Sequence, residues 1–264
     1  MIDSIGVFDS GVGGLTVVTA LRRRLPRESI LYLGDTARLP YGSKSPDTVT
    51  RYTRRNIEFL TERGVKAVVV ACNTASALAL PNLDPHVPGM PIWGVIEPGA
   101  RKAAEVSRGR VGIIATEATV RSDAYARELR RLRPDLEILS RACPLFVPLV
   151  EEGWHDDPVT EEVAQRYLAP LLEAGIDTLV LGCTHYPLLK PVLQRVVGPD
   201  VLLVDSAEAV AEVVAEGLAE RGLEAGDKPP ASHLCVTDAG EGFLRLANRI
   251  LGEADLPLEW VEVT

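Results

Sequence analysis

No run of apolar residues in this chain approaches the roughly 20 that a membrane-spanning helix needs. There is no basic start followed by an apolar leader either: the chain opens Met1-Ile2-Asp3-Ser4. The expectation is a soluble, cytoplasmic protein with no membrane partner. Its first strand is expected four residues in, which leaves no room for an N-terminal regulatory extension. An excess of positive charge is also lacking. Lys and Arg total 28 against 37 Asp and Glu, a net charge of -9, which argues against a broad phosphate-binding surface and against nucleic acid as a partner. Cysteine is scarce and scattered. Cys72, Cys143, Cys183 and Cys235 contain no C-x-x-C and no zinc-like clustering with His. With no secretion signal, the thiols read as free and reduced. Asn and Gln together number only six, and Arg outnumbers Lys 23 to 5. Both a thermophilic origin and a GC-rich genome would produce that bias.

What is present is an α/β pattern. The 264 residues, 46% of them apolar, fit two modest domains or one large one. Strands are expected at Ile5–Phe8, Ile30–Leu33, Ala67–Val70, from Val111, and at Leu136–Ser140, Thr178–Leu181, Val201–Val204, Leu234–Val236 and Leu258–Val261. Helices are expected at Leu15–Leu25, Pro46–Arg63, Arg121–Arg131, Pro158–Ala174, Ala207–Glu220 and Glu241–Leu251. Ser45 is the candidate N-cap of the second helix, with Pro46 at its first position. A loop spans Gly34–Ser45, and a Gly/Pro-rich connector spans Gly222–Pro230. The basic clusters Arg22–Arg24 and Arg54-Arg55 read as solvated helix faces. Alternating strands and helices predict parallel sheets with right-handed crossovers, and ligands at the C-terminal ends of the strands.

The pattern is duplicated. Gly64-Val-Lys-Ala-Val-Val-Val-Ala-Cys72-Asn-Thr74 returns 111 residues later as Gly175-Ile-Asp-Thr-Leu-Val-Leu-Gly-Cys183-Thr-His185. Upstream, Ile5-Gly-Val-Phe-Asp-Ser10 returns as Val111-Gly-Ile-Ile-Ala-Thr116. Ser10 lies 62 residues before Cys72, and Thr116 lies 67 before Cys183. Two half-domains are therefore expected, each offering one thiol to a shared site. Two facing acid/base groups are what a reaction at both faces of one carbon needs.

Other residues follow apolar strands in the same way: Asp9, Ser10, Asn73, Thr74, Thr116, Thr184 and His185. The turn Gly11-Val12-Gly13-Gly14 lies between a strand and a helix, where its amides could hold an anion. It lacks the full G-x-G-x-x-G spacing, and the chain has no G-K-[ST], so nucleotide binding is weakly supported. A lone Cys after a buried strand is ordinarily a core residue. Two in matched contexts, each followed by residues that open helices, are expected to carry a lowered pKa. A redox pair is the other reading of two such thiols, and it requires sulfurs within bonding distance. Glu151, taken alone, reads as exposed, and Pro40-Tyr41-Gly42 as a turn. Cys143, Cys235, His86, His155 and His233 read as structural.

Taken together, Phe8-Asp-Ser-Gly-Val-Gly-Gly14, Gly34-Asp-Thr…Pro40-Tyr-Gly42, Ala71-Cys-Asn-Thr-Ala-Ser76, Phe146-Val-Pro-Leu-Val-Glu151 and Gly182-Cys-Thr-His-Tyr-Pro187 resemble the glutamate racemases of bacterial cell-wall synthesis. The likeness runs from about Gly6 to Asp205. It implies two pseudo-symmetric parallel-sheet α/β domains with the active site in the cleft between them: residues 1–96 with 206–264, and residues 97–205. It implies a racemase that needs no cofactor or metal, acts on L- and D-glutamate, and commonly forms homodimers. By the resemblance, Cys72 takes the α-proton of D-glutamate with help from Asp9. Cys183 takes that of L-glutamate with help from His185 and Glu151. Asp9, Ser10, Tyr41, Gly42, Asn73, Thr74, Thr116, Thr119, Thr184 and His185 would bind the substrate.

The chemistry is demanding. The α-proton of an amino acid is a weaker acid than a free thiol by on the order of a dozen pKa units, or roughly 15 kcal/mol. With no pyridoxal-lysine signature, amides and hydroxyls around the carboxylate have to stabilise the developing charge in a dry cleft. A racemase of aspartate or another acidic amino acid, a non-catalytic binding protein of the same fold, and a thiol–disulfide protein are the competing readings.

Overall fold

The computed structural model describes residues 3–83, 90–226, 230–238, 240–252 and 258–263; His86 lies outside them. The first half runs β1 (Ile5–Asp9), α1 (Leu15–Arg24), β2 (Ile30–Gly34), α2 (Pro46–Glu62), β3 (Ala67–Val70), α3 (Asn73–Leu78) and β4 (Ile92–Gly94). Helix α4 (Ile96–Val106) leads into β5 (Arg110–Ala115), α5 (Glu117–Arg121), α6 (Ala124–Leu132), β6 (Glu137–Ala142), α7 (Phe146–Glu151), α8 (Pro158–Glu173), β7 (Thr178–Gly182), α9 (Lys190–Val197) and β8 (Leu202–Asp205). The tail adds α10 (Ser206–Glu220), β9 (Ser232–Val236), α11 (Glu241–Leu251) and β10 (Leu258–Trp260).

The strands form two parallel sheets, ordered β10-β9-β2-β1-β3-β4 and β6-β5-β7-β8. The tail strands extend the first sheet beyond β2. Without them, the two sheets have the same order: second, first, third, fourth. The duplicated sequence units therefore occupy equivalent strands. β3 pairs with β1, Val70 opposite Phe8, and β7 pairs with β5, Gly182 opposite Ala115. Strands β1, β2, β3 and β7 are buried at every residue, as parallel strands covered on both faces must be. The edge strands β6 and β10 are largely half-buried or exposed.

Local chemistry explains most element ends. The Ser45 hydroxyl accepts from Thr48 N–H with Pro46 in the first turn of α2. The helix expected at Arg121–Arg131 is instead two, α5 and α6, because Asp123 takes a left-handed conformation (φ 55°) between them. Helices α4, α7 and α9 were not expected from the pattern. Each carries a Pro (Pro98, Pro148, Pro191) that reads as a breaker. Within a helix's first turn that residue is tolerated, because the N–H it lacks would be unpaired there anyway.

At the N-terminal ends of the strands, equivalent positions of the repeat carry opposite charges. Lys66 pairs with Glu28 at 2.6 Å, with side chains 9% and 3% exposed. Asp177 instead accepts from Ser107 and Thr178 hydroxyls and from the Arg108 and Arg110 amides. Replacing Lys66 with Met leaves the Glu28 carboxylate buried and unpaired. Urea denaturation of Lys66→Met is expected to show a loss of about 3–5 kcal/mol, although the residue lies at the strand ends opposite the site described next.

Candidate active site

The C-terminal ends of β1, β3, β5 and β7 converge on a cleft between the two sheets. Cys72 stands two residues past the end of β3, and Cys183 directly follows β7. Both are nearly buried, at 5% and 7% exposure, and both line one cavity. Ser10, Tyr41, Gly42, Asn73, Thr74, Thr116, Glu151, Thr184 and His185 line the same cavity. Asp9 and Thr119 stand one layer behind. Leu39, Pro40 and Val147 add an apolar rim, which sequence reading did not assign to the site although Leu39 and Pro40 adjoin Tyr41 and Val147 lies four residues from Glu151. The enclosed space is about 30 Å³, room for a water or two and less than an amino acid needs. Volume alone does not mark this cleft. A groove of about 660 Å³ runs between α1, α4 and α10, but it holds no thiol, and charges lining it pair as Arg23–Glu208 and Arg24–Glu212.

The glycine turn proves to hold an internal anion. Asp9 is fully buried, and its Oδ2 accepts from the amides of Gly11 and Gly14, each at 3.0 Å. The Thr184 hydroxyl donates to its Oδ1 at 3.3 Å. Two of the amides expected to face a ligand are thus taken by the chain's own carboxylate. Burial raises the Asp9 pKa, against the nearby His185 charge and these hydrogen bonds. The glycines are required by close approach. A Cβ on Gly14 would overlap Asp9, and one on Gly13 would lie 2.5 Å from Thr184 Oγ1 and 2.6 Å from His185 Nδ1.

The two thiols have different surroundings. Cys72 caps α3, its sulfur accepting from Ala75 N–H at 3.5 Å and lying 3.7 Å from Ser10 Oγ. Its pKa was expected to fall at that helix end. Burial, then the Asp9 carboxylate, push it up to about 12 instead; one amide from a six-residue helix does not offset them. Cys183 lies 3.9 Å from His185 Nδ1, and His185 Nε2 lies 3.2 Å from Glu151 Oε1. Burial presses the His185 pKa down, but the bonds and charges of Cys183 and Glu151 outweigh it and lift it to about 10. The Glu151 side chain is 36% exposed, close to the reading of that residue alone, yet it completes this chain of contacts. All four Cys are free thiols. Cys143 and Cys235 are fully buried.

Polar groups join the two halves around the thiols. The Thr74 hydroxyl lies 3.0 Å from that of Thr116 and 3.2 Å from that of Thr119. Asn73 Nδ2 donates to Tyr125 Oη at 2.8 Å and Ser206 Oγ at 3.3 Å; its buried Oδ1 has no partner among the described residues. Gly42 packs against Thr116, where a Cβ would come within 2.8 Å of Thr116 Cβ. The Tyr41 hydroxyl does not face the cleft. It donates to Asp35 and accepts from Asn56. Tyr125, Ser206 and Asn56 carried no signal, being single polar residues whose use appears only on folding; Asp35 stands in the Gly34-Asp-Thr motif but was given no role from the sequence. Among the described residues, no group of three or more His, Cys, Asp or Glu is arranged to hold a metal ion, and no helix is long and apolar enough to cross a membrane.

Comparison with known proteins agrees with this geometry. Residues 14–214 match the family model described as Asp/Glu/hydantoin racemase. A glutamate racemase of Geobacter metallireducens is 55% identical over 253 residues, covering 94% of this chain and 93% of that protein. The chain belongs to the glutamate racemase family. The family is one of isomerases, and its solved structures share the fold. A glutamate racemase isoform of Bacillus anthracis superposes with a TM-score of 0.94 at 39% identity, covering 99% of this chain and 98% of that one. The glutamate racemase of Francisella tularensis, solved with D-glutamate, gives a TM-score of 0.92 at 37% identity, covering 98% of this chain and 97% of that one.

Two outcomes follow from the site. Gly13→Ala is expected to lower stability by about 1–3 kcal/mol in thermal or urea unfolding. Gly11→Ala, whose Cβ would meet only Leu39 Cδ2 at 3.7 Å, is expected to be tolerated. His185 holds its proton more tightly folded than unfolded. Its stabilising contribution is therefore complete below about pH 6.5 and is lost as pH rises through about 10. Between pH 7 and 10 the melting temperature of the wild-type protein is expected to fall more than that of His185→Asn. NMR of the His185 ring is expected to show its titration moving down in Glu151→Gln.

Proposed function

We propose that this protein is a glutamate racemase that interconverts L- and D-glutamate with two thiols and supplies D-glutamate for peptidoglycan synthesis. The observation that carries the reading is the pair of buried cysteines. They follow equivalent strands, line one cavity and have unlike acid/base partners. Glutamate as the substrate is supported by the curated relatives and by the D-glutamate complex of the Francisella protein. We take residues 1–96 with 206–264 and residues 97–205 as the two domains that part to admit it.

The unequal surroundings give each thiol a direction. A thiolate at Cys183 has the His185 imidazolium as counter-ion, itself held by Glu151. It takes the α-proton of L-glutamate, leaving a carbanion whose charge spreads into the α-carboxylate. Hydroxyls of Thr74 and Thr116 and the main chain at Ser10, Gly42 and Thr184 surround that charge where water is scarce. Cys72, kept a thiol by burial and by Asp9, gives its proton to the opposite face. The products are D-glutamate, a Cys72 thiolate and a Cys183 thiol. In reverse, the Cys72 thiolate takes the proton of D-glutamate. Asp9, close enough to raise the Cys72 pKa but bonded to Gly11, Gly14 and Thr184, acts on that thiol through its charge. The unpartnered Asn73 Oδ1 is an acceptor that the substrate ammonium would satisfy.

The test is incubation with L-glutamate in deuterated water without added cofactor. The expected product is D-glutamate deuterated at Cα. Cys72→Ser and Cys183→Ser are each expected to slow racemisation in both directions by about 10²–10⁴-fold. Full activity in either variant would reject the two-thiol mechanism, and faster turnover of aspartate would reject the substrate.

A further inference from the structure

Asp35 directly follows β2, beside Asp9 at the end of β1, and its amide donates to the Asp9 carbonyl at 2.9 Å. It is fully buried, and the proton transfers described above do not use it. Its Oδ2 accepts from the Tyr41 hydroxyl, which also accepts from Asn56 Nδ2 at 3.1 Å. Its Oδ1 accepts from the Thr237 hydroxyl at 3.2 Å, and the Arg38 guanidinium stands 3.7 Å from Oδ2. A buried carboxylate is costly unless its oxygens are satisfied, and here every partner ties down the segment between β2 and α2.

Thr237 belongs to the tail, beyond residue 214, where the family-model match ends. It is itself fastened to that segment. Its amide donates to the Gly34 carbonyl at 3.0 Å, and its Oγ1 accepts from Ala37 N–H at 3.0 Å. The Asp238 amide donates to Thr36 Oγ1 at 2.8 Å, and the Thr36 hydroxyl donates back to the Asp238 carbonyl. At the other end of the segment, Pro40, Tyr41 and Gly42 line the cavity with Cys72. Gly42 fits against Thr116 with no room for a side chain, so this wall tolerates little displacement.

We propose that Asp35 and Thr237 are positioning residues. Together they hold the Tyr41 hydroxyl and so fix the Pro40–Gly42 wall of the cleft, setting how tightly the amino acid is held without moving a proton. This rests on the racemase reading given above, and it assigns the tail a part in the site although none of its described residues lines the cavity.

The test combines steady-state kinetics on both enantiomers with hydrogen–deuterium exchange of the peptide spanning residues 36–44. Tyr41→Phe, which keeps the ring, is expected to raise KM for L- and D-glutamate about tenfold while kcat stays within about threefold. Exchange in 36–44 should quicken. Thr237→Val should act in the same direction. Asp35→Ala should raise KM at least as much as Tyr41→Phe, and Asp35→Asn, whose amide oxygen still accepts, should recover most of the loss. The double variant Asp35→Ala/Tyr41→Phe should be no worse than Asp35→Ala alone. A fall in kcat with KM unchanged, additive effects in the double variant, or unaltered exchange in 36–44 would each overturn the proposal. If the wild-type protein does not racemise glutamate, the racemase reading falls by itself, and the exchange measurement still decides whether Asp35 anchors the segment.

Discussion

The buried carboxylate of Asp9 is the interaction around which the cleft is organised. A fully buried charge has to be met by donors, and the chain meets this one from both halves: two amides of its own glycine turn and the hydroxyl of Thr184. That requirement fixes several features at once. The turn must bring its amides back over the strand end, so Gly14 has no room for a side chain. The second half must come close enough for Thr184 to reach, so Gly13 has none either. The same charge lies near Cys72 and helps keep that thiol protonated. One carboxylate thus links the fold of the first half, the seam between halves and the protonation state of a candidate acid.

Much of this was legible in the sequence because duplication is a strong signal. The matched Gly-to-Cys units fell on β3 and β7, and the matched Gly-containing strands on β1 and β5. The fully apolar runs were correctly read as strands covered on both faces. Helices α2 and α8, each opened by a side-chain cap followed by Pro at the first helical position, and α11, which contains no proline, were placed to within a residue. The helices that escaped, α4, α7 and α9, each hold a proline that is harmless where it sits but indistinguishable from a breaker in a linear pattern.

The lining of the candidate cleft was largely readable in the sequence, and its electrostatics less so. Many of the residues that line the cleft sit at or just past strand ends, which position along the chain reveals, whereas Tyr41, Gly42 and Glu151 were gathered by motif alone. Which way a thiol's pKa moves depends on burial and on a charge contributed by another strand, and neither is a local property. The helix-end argument for Cys72 failed for that reason. The use of the Gly11–Gly14 amides by Asp9 was hidden in the same way, since a turn that can hold an anion does not say whose anion it holds. Tyr41 is a third instance. Its place in the wall follows from the motif, but its hydroxyl turns inward to Asp35, a residue of the same motif to which the sequence assigned no role.

The repeated strand order has a consequence for stereochemistry. Two halves of like topology are related by an approximate rotation, whereas the two enantiomers of an amino acid are related by reflection. A planar carbanion held between the thiols in the proposed reaction carries three different groups: ammonium, carboxylate and side chain. Rotation that exchanges the two sulfurs does not return those three groups to their own places. A strictly symmetric pair of halves would therefore offer each group two conflicting sets of partners. The divergence directly after the cysteines, Asn73-Thr74 against Thr184-His185, breaks the rotation where the ligand cannot obey it. Helix α7 carries Glu151 to only one of the two sides. In the proposed reaction, handedness would rest on a scaffold that is nearly symmetric in its strands and unequal in the few side chains that line the cleft.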